Sequence, residues 1–167
     1  MTNKDCKYDL MINSFNITLN RPKYWKSWDT ETWLLSDAVI ASCSAPTYFM
    51  PHKIDGWQFI DGGVDTNNLC LSAYIESKII YPDCSTDLTV YGTGEFERSI
   101  DIKKGGLMEW SPHIIDVFMT TNNKSPVYLL KEISKLYPDD NIVFLDKQLG
   151  HSVNLDAVKE IEYLRNC

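Results

Sequence analysis

Phe59-Ile60-Asp61-Gly62-Gly63-Val64, with Ala45-Pro46-Thr47-Tyr48-Phe49 upstream and Asn67-Asn68 downstream, decides how the rest of this chain is read. Trp57-Gln58-Phe59-Ile60 is a short strand pattern that runs into an aspartate and two glycines. The order places one carboxylate at the mouth of a strand, on a tight turn, ahead of a helix. Glycines suit such a turn because they adopt backbone angles closed to other residues and let a second segment come near. In open α/β sheets, ligands bind outside the carboxyl ends of the strands. A carboxylate there can take a proton from a neighbouring hydroxyl as a general base. It can equally hydrogen-bond its own turn, and Asp-Gly-Gly alone does not separate the two roles.

Working outward, Ala38-Val39-Ile40-Ala41-Ser42-Cys43-Ser44-Ala45 predicts a helix of small side chains, able to lie close to a neighbour. Ser36 is its expected cap, and Pro46 its stop. Earlier still, Tyr8 to Phe15 is strand-like, Asn20-Arg21-Pro22 reads as a turn, and Tyr24 to Trp28 returns as the second strand of a hairpin. Downstream, Asn67-Asn68 is placed to cap a helix from Leu69 to Ile80. Leu88-Thr89-Val90-Tyr91 is a buried type of strand closed by Gly92-Thr93-Gly94. Strand, helix and strand with glycine turns predict a right-handed crossover and a parallel sheet. Gly106 to Thr121 reads as helical after Pro112, with Asp116 four residues beyond that proline. Ser125-Pro126 opens a further helix carrying Val127, Leu129, Leu130, Ile133 and Leu136. Asn141 to Leu145 is another strand, and Asn154 caps a last helix through Leu164, with Leu155 in its buried stripe.

Composition narrows the function classes. A length of 167 residues suits one domain, and an apolar fraction of 44% excludes a disordered chain. The formal charge of −7, with no basic run, argues against a nucleic-acid partner. Cys6, Cys43, Cys70, Cys84 and Cys167 are widely spaced and form no C-x-x-C pair, so neither a zinc ribbon nor a thioredoxin-like site is expected. Cys43 and Cys70 sit among small or apolar residues and read as buried thiols. Reduced thiols point to a cytoplasmic setting. No apolar run reaches the roughly 18 residues of a membrane span, so any membrane contact is expected to be peripheral. His52, His113 and His151 show no triad-like setting and read as surface or packing residues.

Taken in order, these segments resemble the patatin-like phospholipases. The likeness rests on Ala38 to Phe49, then Phe59-Ile60-Asp61-Gly62-Gly63-Val64 and Asn67-Asn68, then Tyr91-Gly92-Thr93-Gly94, and then Trp110, Pro112, Asp116 and Met119. Leu10 to Pro22 resembles the strand and turn that precede the small-residue helix in that family. The resemblance implies a three-layer α/β/α fold with a mostly parallel central sheet. Residues 1–167 would form the carboxyl-terminal portion of that domain, incomplete on its amino-terminal side. It implies hydrolysis of lipid or phospholipid acyl esters by a serine–aspartate dyad, with no metal or cofactor. Asp61 would be the proton acceptor, supported by Gly62, Gly63, Asn67 and Asn68.

The nucleophile half of that dyad is missing. The family carries its serine in Gly-x-Ser-x-Gly, ahead of the Asp-Gly-Gly turn, with a glycine-rich oxyanion loop earlier still. Neither occurs here. Gly150-His151-Ser152-Val153-Asn154 lacks the closing glycine and follows Asp61 instead of preceding it. The expectation is a partner segment or chain that supplies the nucleophile. The alternative is a non-catalytic lipid-binding or regulatory remnant. Tyr48 and Phe49 are expected in the core, and Trp110 and Met119 in packing.

Overall fold

The computed structural model describes the chain except for Glu95, Glu97, Arg98, Ser152 and residues 154–156 and 166–167, together with the side chains of Pro112, Ile115 and Asp116. The readings placed on Ser152, the Asn154 cap, Leu155, Cys167, and the side chains of Pro112 and Asp116 therefore lie outside the described residues.

Met11–Asn16 (β1) and Arg21–Lys26 (β2) form the expected hairpin, in antiparallel register from Met11 opposite Lys26 to Asn16 opposite Arg21. The turn lies earlier than the sequence suggested. Arg21 and Pro22 already belong to β2, and the reversal ends at Asn20, at a φ of 51°. Pro22 is tolerated because β2 is an edge strand, where a missing N–H faces no neighbour. Asn16 Oδ1 closes the turn by accepting from Leu19 N at 3.0 Å.

The small-residue helix is Leu35–Ser42 (α1). Ser36 is not its cap. Leu34 holds that position with extended backbone, which puts Ser36 inside the first turn. Ala38 and Ala41 are fully buried, and their lack of bulk lets α1 lie against Trp25, Trp33 and Phe59 as the first core. His52–Ile54 (β3) and Trp57–Asp61 (β4) follow as a hairpin across Asp55-Gly56, whose φ values of 49° and 82° suit a two-residue hairpin turn. The four strands run in the order β2-β1-β4-β3, and all three pairings are antiparallel.

The second half packs around Cys70–Ile80 (α2) and Leu107–Ser134 (α3). Asp87–Tyr91 (β5) and Asn141–Leu145 (β6) pair in parallel, with α3 as the crossover between them. The architecture is mixed α/β, as expected. The parallel pairing differs from the expectation in its extent. It joins β5 to β6 rather than β4 to β5, while the larger sheet is antiparallel because short hairpins close two of its pairings. The two helices read on either side of Asn122–Ser125 are one helix of 28 residues. Two consecutive left-handed glycines, Gly105 and Gly106, with φ of 71° and 90°, set the direction in which it starts. Beyond β6, a short 3-10 turn at Val158–Glu160 leads into Ile161–Arg165 (α4).

Tyr74, Cys70 and Leu130 are the buried centre of the second core, ringed by Leu88, Val90, Ile142 and Phe144. A polar cluster fixes its rim. Asp140 accepts from Lys78 Nζ at 2.7 Å, Tyr74 Oη at 2.5 Å and Thr86 N at 2.8 Å. Burial pushes the Asp140 carboxyl up, but these donors and the Lys78 charge outweigh it and hold the pKa below the ordinary value. Burial and the neighbouring Asp140 carboxylate drive the Tyr74 hydroxyl far above its ordinary range.

Candidate active site

β4 delivers Asp61 to the seam between the two cores. Its amide donates to Ser44 O at 3.0 Å, so the chain that leaves α1 holds the end of the strand. The backbone then tightens into a 3-10 turn, Gly62–Val64, with Asp61 as its cap. Asp61 Oδ1 accepts from Gly63 N at 2.7 Å. Among the described residues, no hydrogen bond reaches Oδ2, and the side chain is half-buried. The carboxylate is thus tethered through one oxygen, with no described partner on the other.

The glycines serve close approach, not unusual backbone angles. Neither Gly62 nor Gly63 has a positive φ, which corrects half of the reason expected for them. A Cβ on Gly62 would lie 2.4 Å from Asn13 Cγ and 2.6 Å from Asn13 O. A Cβ on Gly63 would meet Asp61 Oδ1 at 3.0 Å, and Asn67 Oδ1 and Met119 Cε at 3.1 Å. The second segment that comes near is therefore β1 on one side and α3 on the other.

Two asparagines that the sequence did not single out fasten this turn. Asn13 Nδ2 reaches Thr66 O at 2.8 Å. Asn122 Nδ2, from the middle of α3, donates to Val64 O at 2.9 Å and to Gly63 O at 3.3 Å. A buried amide in a strand otherwise chosen for packing was the available signal for Asn13; nothing in the pattern marked Asn122. The expected pair Asn67 and Asn68 divides. Leu69, not either asparagine, holds the N-cap position of α2; Asn68, just before it, accepts from Cys70 N at 3.0 Å through Oδ1, while its amide donates to Asn123 at 3.1 Å. Asn67 is exposed, with its oxygen close to Gly63.

Among the described residues, no serine offers Asp61 a hydroxyl. Ser14 is the cross-strand partner of Asp61, but its Oγ accepts from Trp25 Nε1 at 2.9 Å. Ser44 Oγ donates to Ile40 O at 2.7 Å. The histidines lie elsewhere: His52 sits 3.1 Å from Asp37, His151 sits 3.2 Å from Glu160, and His113 Nδ1 is buried without a hydrogen-bond partner among the described residues. Among the described residues, no group of three His, Cys, Asp or Glu side chains is placed to hold a metal ion.

The surroundings depart from expectation in three places. Tyr48 and Phe49 are 49% and 65% exposed and so lie outside the core. Cys43 is exposed, whereas Cys70 is buried as expected, and burial raises its thiol pKa. Met119 packs on the turn as expected, whereas Trp110 is 40% exposed. A groove of about 400 Å³, walled by Val90, Val127, Phe144 and Leu145, reaches Asn68 but not Asp61.

Comparison with known proteins bears on the same segment. Residues 14–74 match the patatin-like phospholipase family, a span that runs from β1 through the Asp61 turn into α2. The chain is 26% identical to the cGAMP-activated phospholipase of Vibrio cholerae serotype O1, over 93% of this chain and 50% of that protein. It is 27% identical to Patatin-like protein 1 of Oryza sativa subsp. indica, over 72% of this chain and 38% of that protein. The chain therefore spans half or less of the length of these relatives.

Proposed function

We propose that this chain is the aspartate-bearing half of a lipid acyl hydrolase of the patatin-like type, with Asp61 as its general base. The carrying observation is the half-tethered carboxylate: Oδ1 is fixed by Gly63 N, and Oδ2 is not engaged by any described residue. That arrangement holds one acceptor in a set direction for an incoming hydroxyl. The family match over residues 14–74 and the relative named a phospholipase support the same reading.

In this proposal the serine lies on polypeptide outside these 167 residues, whether a further segment or a partner chain. Asp61 takes the proton from the serine Oγ as it attacks the acyl carbonyl. The lipid alcohol departs with a proton and leaves an acyl-enzyme. Water then releases the fatty acid by the same route, Asp61 again receiving and returning the proton. Asn13 and Asn122 hold the turn, and Gly62 and Gly63 leave room for it. The substrate is a lipid or phospholipid acyl ester, met at a membrane surface; no helix among the described residues is long and apolar enough to cross one.

The test combines the chain with the polypeptide that carries Gly-x-Ser-x-Gly and follows hydrolysis of a fluorogenic phospholipid. Asp61→Asn is expected to lower turnover by on the order of 10⁴, the scale seen for the aspartate of a serine protease triad. The chain alone is expected to show no serine labelling by a fluorophosphonate. Strong labelling of the isolated chain, or turnover indifferent to Asp61→Asn, would overturn the assignment. A second reading, a lipid-binding remnant without catalysis, draws on the contact between Asp61 and its own turn; it predicts no hydrolysis in any assembly.

A further inference from the structure

α3 has two faces with different partners. Its inner face carries Met119 and Asn122 against the Asp61 turn, Asn123 against Asn68, and Leu130 in the second core. The outer face of its first half is apolar and uncovered. Leu107, Trp110, Ile114 and Phe118 recur at spacings of three and four residues, and they are 81%, 40%, 41% and 60% exposed. Met108, at the very tip, is 93% exposed. This stripe extends about 17 Å along the helix.

The composition and charge beside it name the occupant. Lys103 and Lys104 are exposed immediately before the tip, on a chain whose net charge is −7. Glu109, the acidic residue of the first turn, is drawn back onto them: its carboxylate accepts from Lys103 N and Lys104 N, both at 2.9 Å. These backbone donors hold its pKa low. Its charge is therefore hydrogen-bonded by the loop backbone and offsets part of the lysine charge beside it. Asp101 also lies in this loop, so the electrostatic pull is modest and apolar insertion must supply most of the binding. A tryptophan and long apolar side chains next to lysines are the make-up of an interfacial helix.

Backbone chemistry separates this face from the other uncovered one. A helix satisfies its own N–H and C=O groups and can meet lipid, whereas open sheet edges cannot. Tyr91, Val143 and Leu145 are exposed on the two-stranded β5–β6 sheet, and that face calls for protein.

We propose that the first half of α3 is an interfacial anchor that inserts Leu107, Met108 and Trp110 into a bilayer carrying anionic headgroups. The choice of lipid over protein rests in part on the lipid-hydrolase reading. The anchor would bring bilayer lipid to the same helix that holds the Asp61 turn.

The test is flotation of the full chain with vesicles of phosphatidylcholine alone or with one quarter phosphatidylglycerol. The chain is expected to float with both and more strongly with the second. Leu107→Ser/Met108→Ser alters only exposed side chains, and is expected to lower flotation at least tenfold with an unchanged thermal melt. Lys103→Glu/Lys104→Glu is expected to remove only the preference for anionic vesicles. Failure of the wild-type chain to float, flotation unaffected by the serine variant, or a loss of self-association as that variant's only effect would overturn the anchor. Asp61→Asn should float like wild type, so an assembled protein that floats but hydrolyses nothing would end the hydrolase reading and leave the anchor standing.

Discussion

Gly62 and Gly56 are glycines for different reasons, and one substitution tells them apart. An alanine at 62 would drive its Cβ to within 2.6 Å of the Asn13 backbone oxygen, in a place where neither partner can yield. Overpacking of that kind costs about 1–3 kcal/mol, and urea unfolding of Gly62→Ala is expected to show it. Gly56 has nothing within 4 Å of the position a Cβ would take, but its φ of 82° is left-handed. Gly56→Ala is expected to cost about 1 kcal/mol from backbone strain alone. Asn122→Ala removes two donors to the carbonyls of the turn and is expected to cost about 1–2 kcal/mol in the same measurement. At this scale the sequence placed Asp61 at the end of a strand on a tight turn and marked the need for small residues beside it. It could not reveal which segments press on those glycines, because Asn13 and Asn122 come from distant parts of the chain. The backbone angles inferred for Gly62 and Gly63 were wrong for the same reason: the crowding comes from neighbours, not from φ.

Among the elements, α2 and the rim around Asp140 carry the pH dependence. The Asp140 pKa is lowered by folding, so its contribution to stability is present above the unfolded value of about 4 and fades as pH falls through the folded value. Tyr74 moves the opposite way. Its pKa is raised, so its contribution is complete below about 10 and is lost as pH climbs beyond it. Urea midpoints measured against pH are expected to fall on both limbs. Asp140→Asn is expected to weaken the acid limb while lowering the midpoint at neutral pH; an unchanged acid limb would show that other carboxylates set it. Strand and helix positions near this rim were readable from apolar periodicity. α3 was not, because Pro126 reads as a break. It removes only the N–H that would reach back toward Asn122, while Leu130 and the Asn122–Asn123 contacts secure both flanks. β3 was missed although Asp55-Gly56 announces a hairpin; three residues are too few to show alternation.

The molecule as a whole leaves much apolar surface uncovered. Val39 and Ile40 on α1, the outer face of β5–β6, and the stripe on α3 all face outward. The chain spans half or less of the length of the relatives it matches. The isolated chain is accordingly expected to self-associate in sedimentation velocity, through the sheet face and its open edges. A monomer that melts sharply would show that these faces need no cover. The mixed α/β class was legible because segments with strand and helix signatures alternate along most of the chain. The antiparallel order of the larger sheet was not, since β3 is too short to read and β1 pairs with β4 across a long stretch of chain. Mechanically, α3 is a rod of about 42 Å, pinned near its middle by Asn122. The arm from Leu107 to that pin measures roughly 22 Å, so a tilt of about 5° would shift the far end by about 2 Å. Met119 and Asn122 both bear on the turn that carries Asp61, so a force tilting this arm would be felt where the carboxylate sits.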